Sequence, residues 1–542
     1  MKSLTLVGSG ASAVHFAETA LERGWRVTLL DVGRARPEHV GPELSFAGLK
    51  RSHPRASEYF LGPRFEGVLF PGAAGEYYGF PPHREYVFAG HAGQPWRAEG
   101  LEPLFSFARG GLAEAWTGAV FPFRDEELVD WPFGHDRLAP HYDTVARRIG
   151  VMGVEDDLAA FVPLHAHLEQ PLDLDPHSRR LAERYGQVRG RLHGELGVYL
   201  GRSRAAVLGS ARPGRGACEK KGRCLWGCPN DSIYSPLHTL RELEAHPEFQ
   251  YRSGVLVQSF EVEDGGRVTA VHLRRADGTR ERLPVERLVL AAGTLSSGRI
   301  VLESLARAGE QAPRLGGLMD NRQVLVPFVN LSMLGSPVEY ESYQYHQLAL
   351  GITPPPGRSG REYVHGLVTT LKSALIHPIA QSVPFDLRSA LGLVREVHAA
   401  LGLVNLNFHD TRRPGNALEL DFSGGGRERG GESRLVIRYE PEPGEGARIA
   451  DALGRVKRAL WRLSCVVPPG MVHVRPMGAS VHYAGTLPMS RTEEPRTTTE
   501  SGRLRGFANL WLADGSTFPF LPAKNLTFTL MANASRLACE DF

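Results

Sequence analysis

Residues 3–31 constrain the fold more than any other part of this chain. Residues 3–7 form a short buried strand, Gly8-Ser9-Gly10 a turn, residues 11–23 a helix, and residues 26–30 a second strand that ends on Asp31. A turn of this kind brings backbone N–H groups and a helix N-terminus close to a pyrophosphate. The pattern predicts a βαβ unit that binds a dinucleotide through Gly8, Gly10, Ala11, Ser12 and Asp31.

The position of the acid supports this interpretation. Asp31 lies 21 residues beyond Gly10, where a carboxylate accepts hydrogen bonds from the adenosine ribose. The motif alone leaves NAD and FAD open as ligands, and a glycine turn without a ligand is the structural alternative.

The totals exclude several classes of protein. A chain of 542 residues is too long to fold around one hydrophobic core, so at least two domains are expected. The net charge of +3 is too small to indicate nucleic acid or an anionic membrane as a partner. The sequence contains no apolar run of about 18 residues, so no membrane span is predicted. No signal-like segment precedes the first strand, so we expect a cytoplasmic protein, with export to the periplasm alongside a partner subunit as the alternative.

Three later segments carry glycine-rich turns that a bound ligand would explain. In "FARGGLAEAWTGAVFPF" (107–123), Gly110-Gly111 and Trp116-Thr117 predict backbone folded against a flat ligand, although a loop with a buried Trp is also open. A strand at 288–290, a turn around Ala292 and a helix at 297–305 predict another βα crossing of the same sheet. Near the C-terminus, a strand ending at Ala513 precedes Asp514-Gly515 and a helix beginning at Asn525.

The order of these segments resembles the glucose–methanol–choline (GMC) oxidoreductases. Besides the N-terminal turn, the matching pieces are "GGLAEAWTGA", "WPFGHDRLAPHYDTVARRIGV", "CLWGCPNDSIYS", "LVLAAGTLSSGRIVLES", "HYAGTLPM" and "LADGSTFPFLPAKNLTFTLMANASRLA". They span most of the chain, and the last is the most specific. The branches most similar in these pieces are the pyranose oxidases and the FAD-dependent sugar dehydrogenases that contain an iron–sulfur cluster.

This resemblance implies a fold and a cofactor. The expected fold is mixed α/β (α+β), with a Rossmann-like FAD-binding domain (1–320 and 471–542) interrupted by a substrate-binding domain (321–470) with a large antiparallel sheet flanked by helices. Asp514 and Gly515 would contact the pyrophosphate and ribityl chain of FAD, and Thr527 would lie near the flavin ring. Pyranose oxidases carry a flavin-linked histidine before the Trp, where this chain has Ala115, so we expect non-covalent FAD.

The resemblance also implies the catalytic residues. Oxidation of an alcohol at a flavin sends a hydride to N5 while a base takes the hydroxyl proton, and histidine suits that task near neutral pH. The segment "GASVHYAGTLPM" places His482 in the H-x-x-G-T-x-x-M pattern of the family, as the base. Asn525 would hold the substrate oxygen, with a helix N-cap as its alternative role.

The substrate domain has weaker signals. The segment "VEYESYQYHQLAL" (338–350) mixes aromatic rings with amides and a histidine, as sugar-binding surfaces do, but a polar strand edge explains it equally well. Residues 448–463 place Ile449, Val456 and Leu460 on one stripe, which predicts a helix packed against a sheet.

Three cysteines crowd into the segment 217–229. Cys218, Cys224 and Cys228 form a C-x5-C-x3-C arrangement that ends in Cys-Pro, and thiolates so spaced can converge on one soft metal centre. The spacing resembles that of the cluster-bearing sugar dehydrogenases and predicts a [3Fe-4S] cluster. A zinc site completed by His238 and free buried thiols are the alternatives.

The combined prediction is an FAD-dependent enzyme that oxidises an alcohol group of a sugar or glycoside. A cluster would make it a dehydrogenase that passes electrons to a quinone, cytochrome c or a small-subunit partner. The alternatives are a pyranose-oxidase-like enzyme that reduces O2 to peroxide, a redox-neutral FAD-containing lyase, and a degenerate flavin-binding protein.

Overall fold

A five-stranded parallel sheet lies beneath the N-terminal turn. The computed structural model describes residues 2–37, 44–65, 80–370, 372–381, 383–422 and 433–542. The strands of this parallel sheet are, in spatial order, Leu510–Leu512, Leu288–Leu290, Ser3–Val7, Arg26–Leu30 and Phe249–Arg252. Every neighbouring pair is parallel. These strands are short and apolar because parallel sheets are covered on both faces.

Helices cover one face of the parallel sheet. The helix Ala11–Glu22 packs along the C-terminal helix Thr527–Asp541, called the closing helix below, and Thr19 and Ser535 join them by a 3.0 Å hydrogen bond. The closing helix also contacts the helix His135–Ile149. The first and last segments of the chain therefore share one core.

The opposite face of the parallel sheet meets the helix Thr294–Arg307 and two small sheets. One is antiparallel, with strands Val255–Glu263, Arg267–Arg275 and Arg280–Pro284. The other has the strand order Arg314–Gly316, Ala417–Asp421, Arg434–Arg438 and Trp96–Glu99.

A second body is built on a seven-stranded sheet, called the large sheet below. Its order is Cys465–Val466, Gln323–Asn330, Leu401–Asn407, Val364–Thr369, Leu348–Ile352 and Val198–Arg202, and His473–Val474 also pairs with Gln323–Asn330. All of its strand pairs are antiparallel. Two of its strands, Val198–Arg202 and His473–Val474, come from outside the residues 321–470 that were predicted to form the substrate-binding domain. The predicted domain limits stay a prediction.

Two helices cover one face of the large sheet. These are Pro176–Arg191, which continues into a turn at Leu192–Leu196, and Glu445–Arg462. Ile449, Val456 and Leu460 are buried in this core, which confirms the predicted packing of that helix.

The remaining elements are short. Further helices are Phe46–Ser52, Ala56–Leu61, Pro236–Glu244, His377–Gln381 and Leu387–Val397, and single 3-10 turns include Gly111–Ala115, Asp125–Glu127 and Gly515–Thr517. Two-stranded pairings join Val151–Met152 to Leu168–Glu169 and Asp410–Thr411 to Phe520–Leu521. Across the described ranges, no helix combines the length and apolar character needed to cross a membrane.

Candidate active site

A deep cleft opens at the carboxyl ends of the parallel strands. Its lining comes from both ends of the chain and includes most of the residues that the sequence predicted as cofactor ligands: Gly8, Gly10, Ala11, Ser12, Asp31, Gly111, Ala292, Asp514, Gly515 and Thr527. His482 lies in the same lining. Ligands of open parallel sheets bind at this edge, because the loops that follow the strands converge there.

Two glycine turns make the cleft narrow where they meet. Gly8 has a φ of +101°, and a Cβ built on it would lie 2.6 Å from the carbonyl oxygen of Ala291. Gly111 has a φ of +63°, and its Cβ would lie 3.2 Å from Cα of Gly10. Glycine at these two positions therefore lets neighbouring backbone segments pack closely at the cleft. The helix Ala11–Glu22 begins here without a side-chain cap, so its first N–H groups are available to phosphate oxygens.

Asp31 lies in the cleft within a hydrogen-bond network that the sequence did not reveal. Its Oδ2 accepts hydrogen bonds from the hydroxyls of Ser9 and of Tyr251, the latter at 3.1 Å. Burial raises the pKa of Asp31 to about 6, although these hydrogen bonds oppose the shift. Ser9 also accepts a 3.0 Å hydrogen bond from the N–H of Gly110, which fixes the second glycine turn against the first. Nothing in the sequence around Tyr251 marked it as part of this site.

Asp514 ties together two segments at the floor of the cleft. Its Oδ2 accepts hydrogen bonds from the N–H of Gly293 at 3.0 Å and the hydroxyl of Ser297 at 2.5 Å, and its Oδ1 accepts from the N–H of Ser516 at 3.0 Å. Gly515 follows, and a Cβ on it would lie 2.6 Å from the carbonyl oxygen of Tyr483. The N–H of Gly485 donates a 3.0 Å hydrogen bond to the carbonyl of Gly515, which holds the segment that carries His482 beside the loop that follows the last parallel strand.

His482 faces the cleft from the segment that precedes the last parallel strand. Burial lowers the pKa of its imidazole to about 4, so the ring is neutral at pH 7. Its Nδ1 lies 2.9 Å from Oδ1 of Asn321, and its Nε2 lies 3.5 Å from Nδ2 of Asn525. Asn321 was absent from the sequence prediction, because no motif surrounds it.

Asn525 does not cap the closing helix. That helix begins at Thr527, and its N-cap residue is Leu526, which forms no side-chain cap. The amide of Asn525 instead points to His482, and its buried Oδ1 has no hydrogen-bond partner among the described residues. The structure thus brings the two predicted catalytic residues together and removes the N-cap alternative.

Trp116 and Thr117 lie behind the cleft rather than in the described part of its lining. The indole N–H of Trp116 donates a 2.7 Å hydrogen bond to the carbonyl of Tyr234. The hydroxyl of Thr117 lies 3.1 Å from Nε2 of His346, which connects this segment to the large sheet. Their predicted roles in cofactor binding stay predictions.

Residues 342–350 of the segment 338–350 are buried, whereas Glu339 and Glu341 are exposed, and several of the buried polar groups bond within the protein. The amide of Gln344 donates to Ser342 and accepts from the N–H of Lys372, and the amide of Gln347 donates to the carbonyl of Tyr343. His346 differs, because its buried Nδ1 has no partner in the described part of the chain.

A second histidine, His365, lies on the neighbouring strand Val364–Thr369 and is equally unsatisfied. Its Nε2 is buried without a partner in the described structure. Burial, together with the nearby Lys524, His346 and His482, lowers its pKa to about 3. Burial lowers the pKa of His346 to about 4. Both rings are therefore neutral at pH 7 and close enough to His482 or to each other to interact electrostatically.

The three cysteines do not form a metal site in the described residues. No group of three or more His, Cys, Asp or Glu side chains there could hold a metal ion. Cys224 accepts a 3.3 Å hydrogen bond from the N–H of Gln344, and Cys228 lies 3.1 Å from the hydroxyl of Ser232. Burial raises the pKa of the Cys218 and Cys224 thiols, which disfavours their thiolate forms.

The alternative of a zinc site completed by His238 also lacks support among the described residues. Nδ1 of His238 lies 2.7 Å from the guanidinium of Arg241 and 3.9 Å from the carboxylate of Asp231, and no group of three possible metal ligands among the described residues includes His238. The predicted [3Fe-4S] cluster and zinc site therefore have no support from this geometry.

Comparisons with known proteins agree with the geometry of the cleft. Residues 471–534 match the C-terminal domain of the GMC oxidoreductases. The chain is 25% identical to paromamine 6'-oxidase of Streptomyces fradiae over 82% of this chain and 79% of that protein. It is 23% identical to 6'''-hydroxyparomomycin C oxidase of Streptomyces lividus over 98% of this chain and 89% of that protein.

The fold has relatives among solved structures. Pyridoxine 4-oxidase from Mesorbium loti superposes with a TM-score of 0.61, at 14% identity, over 100% of this chain and 99% of that chain. These findings confirm the predicted resemblance and the predicted fold class, and the family implies FAD as the cofactor. The cleft fits that group, since its glycine turns and open helix N-terminus leave room for a dinucleotide.

Proposed function

We propose that this chain, a GMC oxidoreductase, oxidises an alcohol group of a sugar-like molecule with FAD as its cofactor. The substrate hydroxyl gives its proton to Nε2 of His482, and the adjacent C–H bond breaks with its electron pair as the carbonyl forms. FAD, when bound, supplies the acceptor of that hydride. The observation that carries the proposal is the neutral imidazole of His482, which faces the cleft beside the amide of Asn525.

Asn525 would position the reacting oxygen. Its Nδ2 can donate a hydrogen bond to an alcohol oxygen, while the hydroxyl proton of the same alcohol points to Nε2 of His482. The 3.5 Å between these two nitrogens marks one small region from which both can be reached. The unpartnered Oδ1 of Asn525 offers an acceptor to a further hydroxyl of the substrate.

The sugar-like character of the substrate rests on two observations. The relatives from Streptomyces are named for oxidation of paromamine and of 6'''-hydroxyparomomycin C. In this chain, His346 and His365 add neutral imidazoles whose unpartnered nitrogens suit hydroxyl groups. A neutral imidazole has one donor and one acceptor nitrogen, as polyol recognition requires.

We further propose O2 as the electron acceptor, reduced to peroxide. The expectation of a dehydrogenase rested on an iron–sulfur cluster, and the described cysteines do not form such a site. The relatives above are named oxidases. Electron transfer to cytochrome c, a quinone or a partner subunit is the competing hypothesis.

Anaerobic stopped-flow measurement of flavin bleaching tests the proposal. We expect bleaching by amino sugars and other sugar alcohols, followed by reoxidation with O2 and one peroxide per turnover. The variant His482→Gln should bind FAD normally but reduce it at least about 10²-fold more slowly. Unchanged reduction in this variant would contradict the role of His482 as base.

The same experiment separates the competing hypotheses. A redox-neutral lyase would turn over substrate without bleaching, and a degenerate flavin-binding protein would show neither. Slow reoxidation by O2 with fast reoxidation by cytochrome c would favour the dehydrogenase. If anaerobically purified protein contained iron and acid-labile sulfide, the hypothesis of an iron–sulfur cluster would be supported again.

A further inference from the structure

Asn321 makes three hydrogen bonds, and their directions fix the orientation of its amide. Its Nδ2 lies 2.8 Å from the carbonyl oxygen of Phe408 and 2.9 Å from that of Pro522. Carbonyl oxygens only accept hydrogen bonds, so the NH2 group of Asn321 must face both of them. Its Oδ1 therefore faces the third neighbour, Nδ1 of His482, at 2.9 Å.

This orientation decides where the hydrogen of His482 resides. An amide oxygen cannot donate, so Nδ1 of His482 must carry the hydrogen that fills the 2.9 Å contact. In a neutral imidazole the other nitrogen is then bare. That nitrogen is Nε2, which lies on the side of Asn525.

We propose that Asn321 is a positioning residue that holds His482 in the tautomer with hydrogen on Nδ1, so that Nε2 can take the substrate proton. The inference rests on the proposed role of His482 as base. Asn321 is not itself part of the described cleft lining, and it reaches the cleft only through its contact with His482. It acts through His482 alone.

The opposite orientation of the amide would be costly. Rotating the Asn321 amide by half a turn would place its oxygen against the carbonyls of Phe408 and Pro522. Two lost hydrogen bonds and two oxygen–oxygen contacts would follow in a buried location, where unsatisfied polar groups are expensive. Asn321 therefore selects one tautomer instead of following the ring.

The backbone of His482 is held in place by a neighbouring network. The N–H of His482 donates a 2.9 Å hydrogen bond to the hydroxyl of Ser480, which donates in turn to the carboxylate of Asp320. Val481, between them, has a φ of +61°, a strained value for a β-branched residue. Such strain persists only where the surroundings over-determine the conformation, which is common at functional sites.

The direct test reads the tautomer. Protein with bound FAD and ¹⁵N-labelled histidine would be compared with the His482→Gln variant, so that the signals of His482 appear by difference. We expect hydrogen on Nδ1 and a bare Nε2 at pH 7, without any substrate present. Hydrogen on Nε2 in the wild-type protein would overturn the inference.

Two variants test the role of Asn321 in catalysis. Asn321→Leu should mix the two tautomers and slow flavin reduction about 10-fold to 10²-fold, with a smaller change in KM. Asn416→Leu is the matched control. Asn416 is also a buried amide: its Nδ2 donates to the carbonyl of Glu440, its Oδ1 accepts from the N–H of Glu440, and it bonds to no described histidine. It should lose stability yet keep the tautomer and the reduction rate.

The outcomes are separable from failure of the proposed function. If Asn321→Leu folds and keeps both the wild-type tautomer and the reduction rate, the positioning role is wrong. If that variant does not fold, the wild-type spectrum still decides the tautomer. A correct tautomer in a protein whose flavin no alcohol bleaches would reject the proposed reaction and leave the tautomer assignment standing.

Discussion

The parallel sheet and the large sheet contribute to the active site in different ways. Residues of the parallel sheet enter through the loops that directly follow its strands, at Gly8, Asp31, Ala292 and Asp514. The large sheet carries His365 within a strand, and His346 and Asn321 just before other strands. None of the three belongs to the described cleft lining, but Asn321 contacts His482 directly and His365 lies near it. We propose that the first sheet supplies backbone groups that would hold a cofactor, whereas the second supplies neutral side chains near His482.

The difference follows from the two architectures. In a parallel sheet the carboxyl ends of all strands lie at one edge, so short local motifs converge there. In an antiparallel sheet neighbouring strands run in opposite directions, so the loops that follow them lie alternately at both edges and no single edge collects the local motifs. Substitutions in the parallel sheet should therefore affect FAD binding, whereas substitutions in the large sheet should affect catalysis and the pH dependence of stability.

The largest expected effect lies where the two regions join. Lys524 and Glu127 form a fully buried ion pair at 2.6 Å, and Lys524 lies 5.6 Å above the ring of Tyr363 beside the large sheet. Lys524→Met should lower the free energy of unfolding by about 3–5 kcal/mol, because it leaves the carboxylate of Glu127 buried and unpaired. Denaturant unfolding measures this loss.

The double variant Lys524→Met/Glu127→Gln provides the control for this pair. It should recover most of the lost stability, since neither charge then remains buried. A single-variant loss below about 1 kcal/mol would mean that the pair does not hold the two regions together.

A smaller effect is expected for Gly8→Ala in the parallel half. The added Cβ would lie 2.6 Å from the Ala291 carbonyl at a φ of +101°, so backbone must move or strain by about 2–4 kcal/mol. We expect FAD affinity to fall about 10²-fold, measured by flavin fluorescence, while the histidine tautomer is unchanged.

Gly24→Ala is the matched control, at the other end of the same helix. Gly24 also has a positive φ, +79°, but its Cβ would meet no described atom within 4 Å. Equal loss of FAD in both variants would show that general strain, rather than close approach at the cleft, causes the effect.

The smallest expected effect is on the pH dependence of the free energy of unfolding, and its sign differs between the two regions. Burial lowers the pKa of His365 to about 3, so its contribution to stability is complete above pH 6.5 and is lost as the pH falls below that value. Between pH 8 and pH 5 this single group should cost about 2 kcal/mol of unfolding free energy. Burial raises the pKa of Asp31 to about 6, so its contribution is present in acid and is lost as the pH rises through 6.

Thermal unfolding of His365→Leu between pH 8 and pH 5 tests this sign. The variant should flatten the pH dependence of the free energy of unfolding by about 2 kcal/mol. A steeper pH dependence in His365→Leu would contradict the assignment of His365 as a buried neutral ring.

Much of the parallel half could be predicted. The strands Ser3–Val7, Arg26–Leu30 and Leu288–Leu290 have the predicted bounds, and the helices that follow the first and third strands differ by only a few residues. Periodicity and glycine turns are local signals, so they survive without knowledge of the tertiary structure. The predicted metal site has no support in the described residues, because spacing allows thiols to converge but packing decides whether they form a site.

The sequence by itself determined the glycine turns, four of the five parallel strands and the histidine of the H-x-x-G-T-x-x-M pattern, because each depends on residues close together in the chain. Only the tertiary structure decided that Tyr251 and Ser9 hold Asp31, that Asn525 faces His482 instead of capping a helix, and that Asn321 faces its other nitrogen. Those contacts join residues separated by up to 220 positions, and only packing of the complete core brings such residues within hydrogen-bond distance.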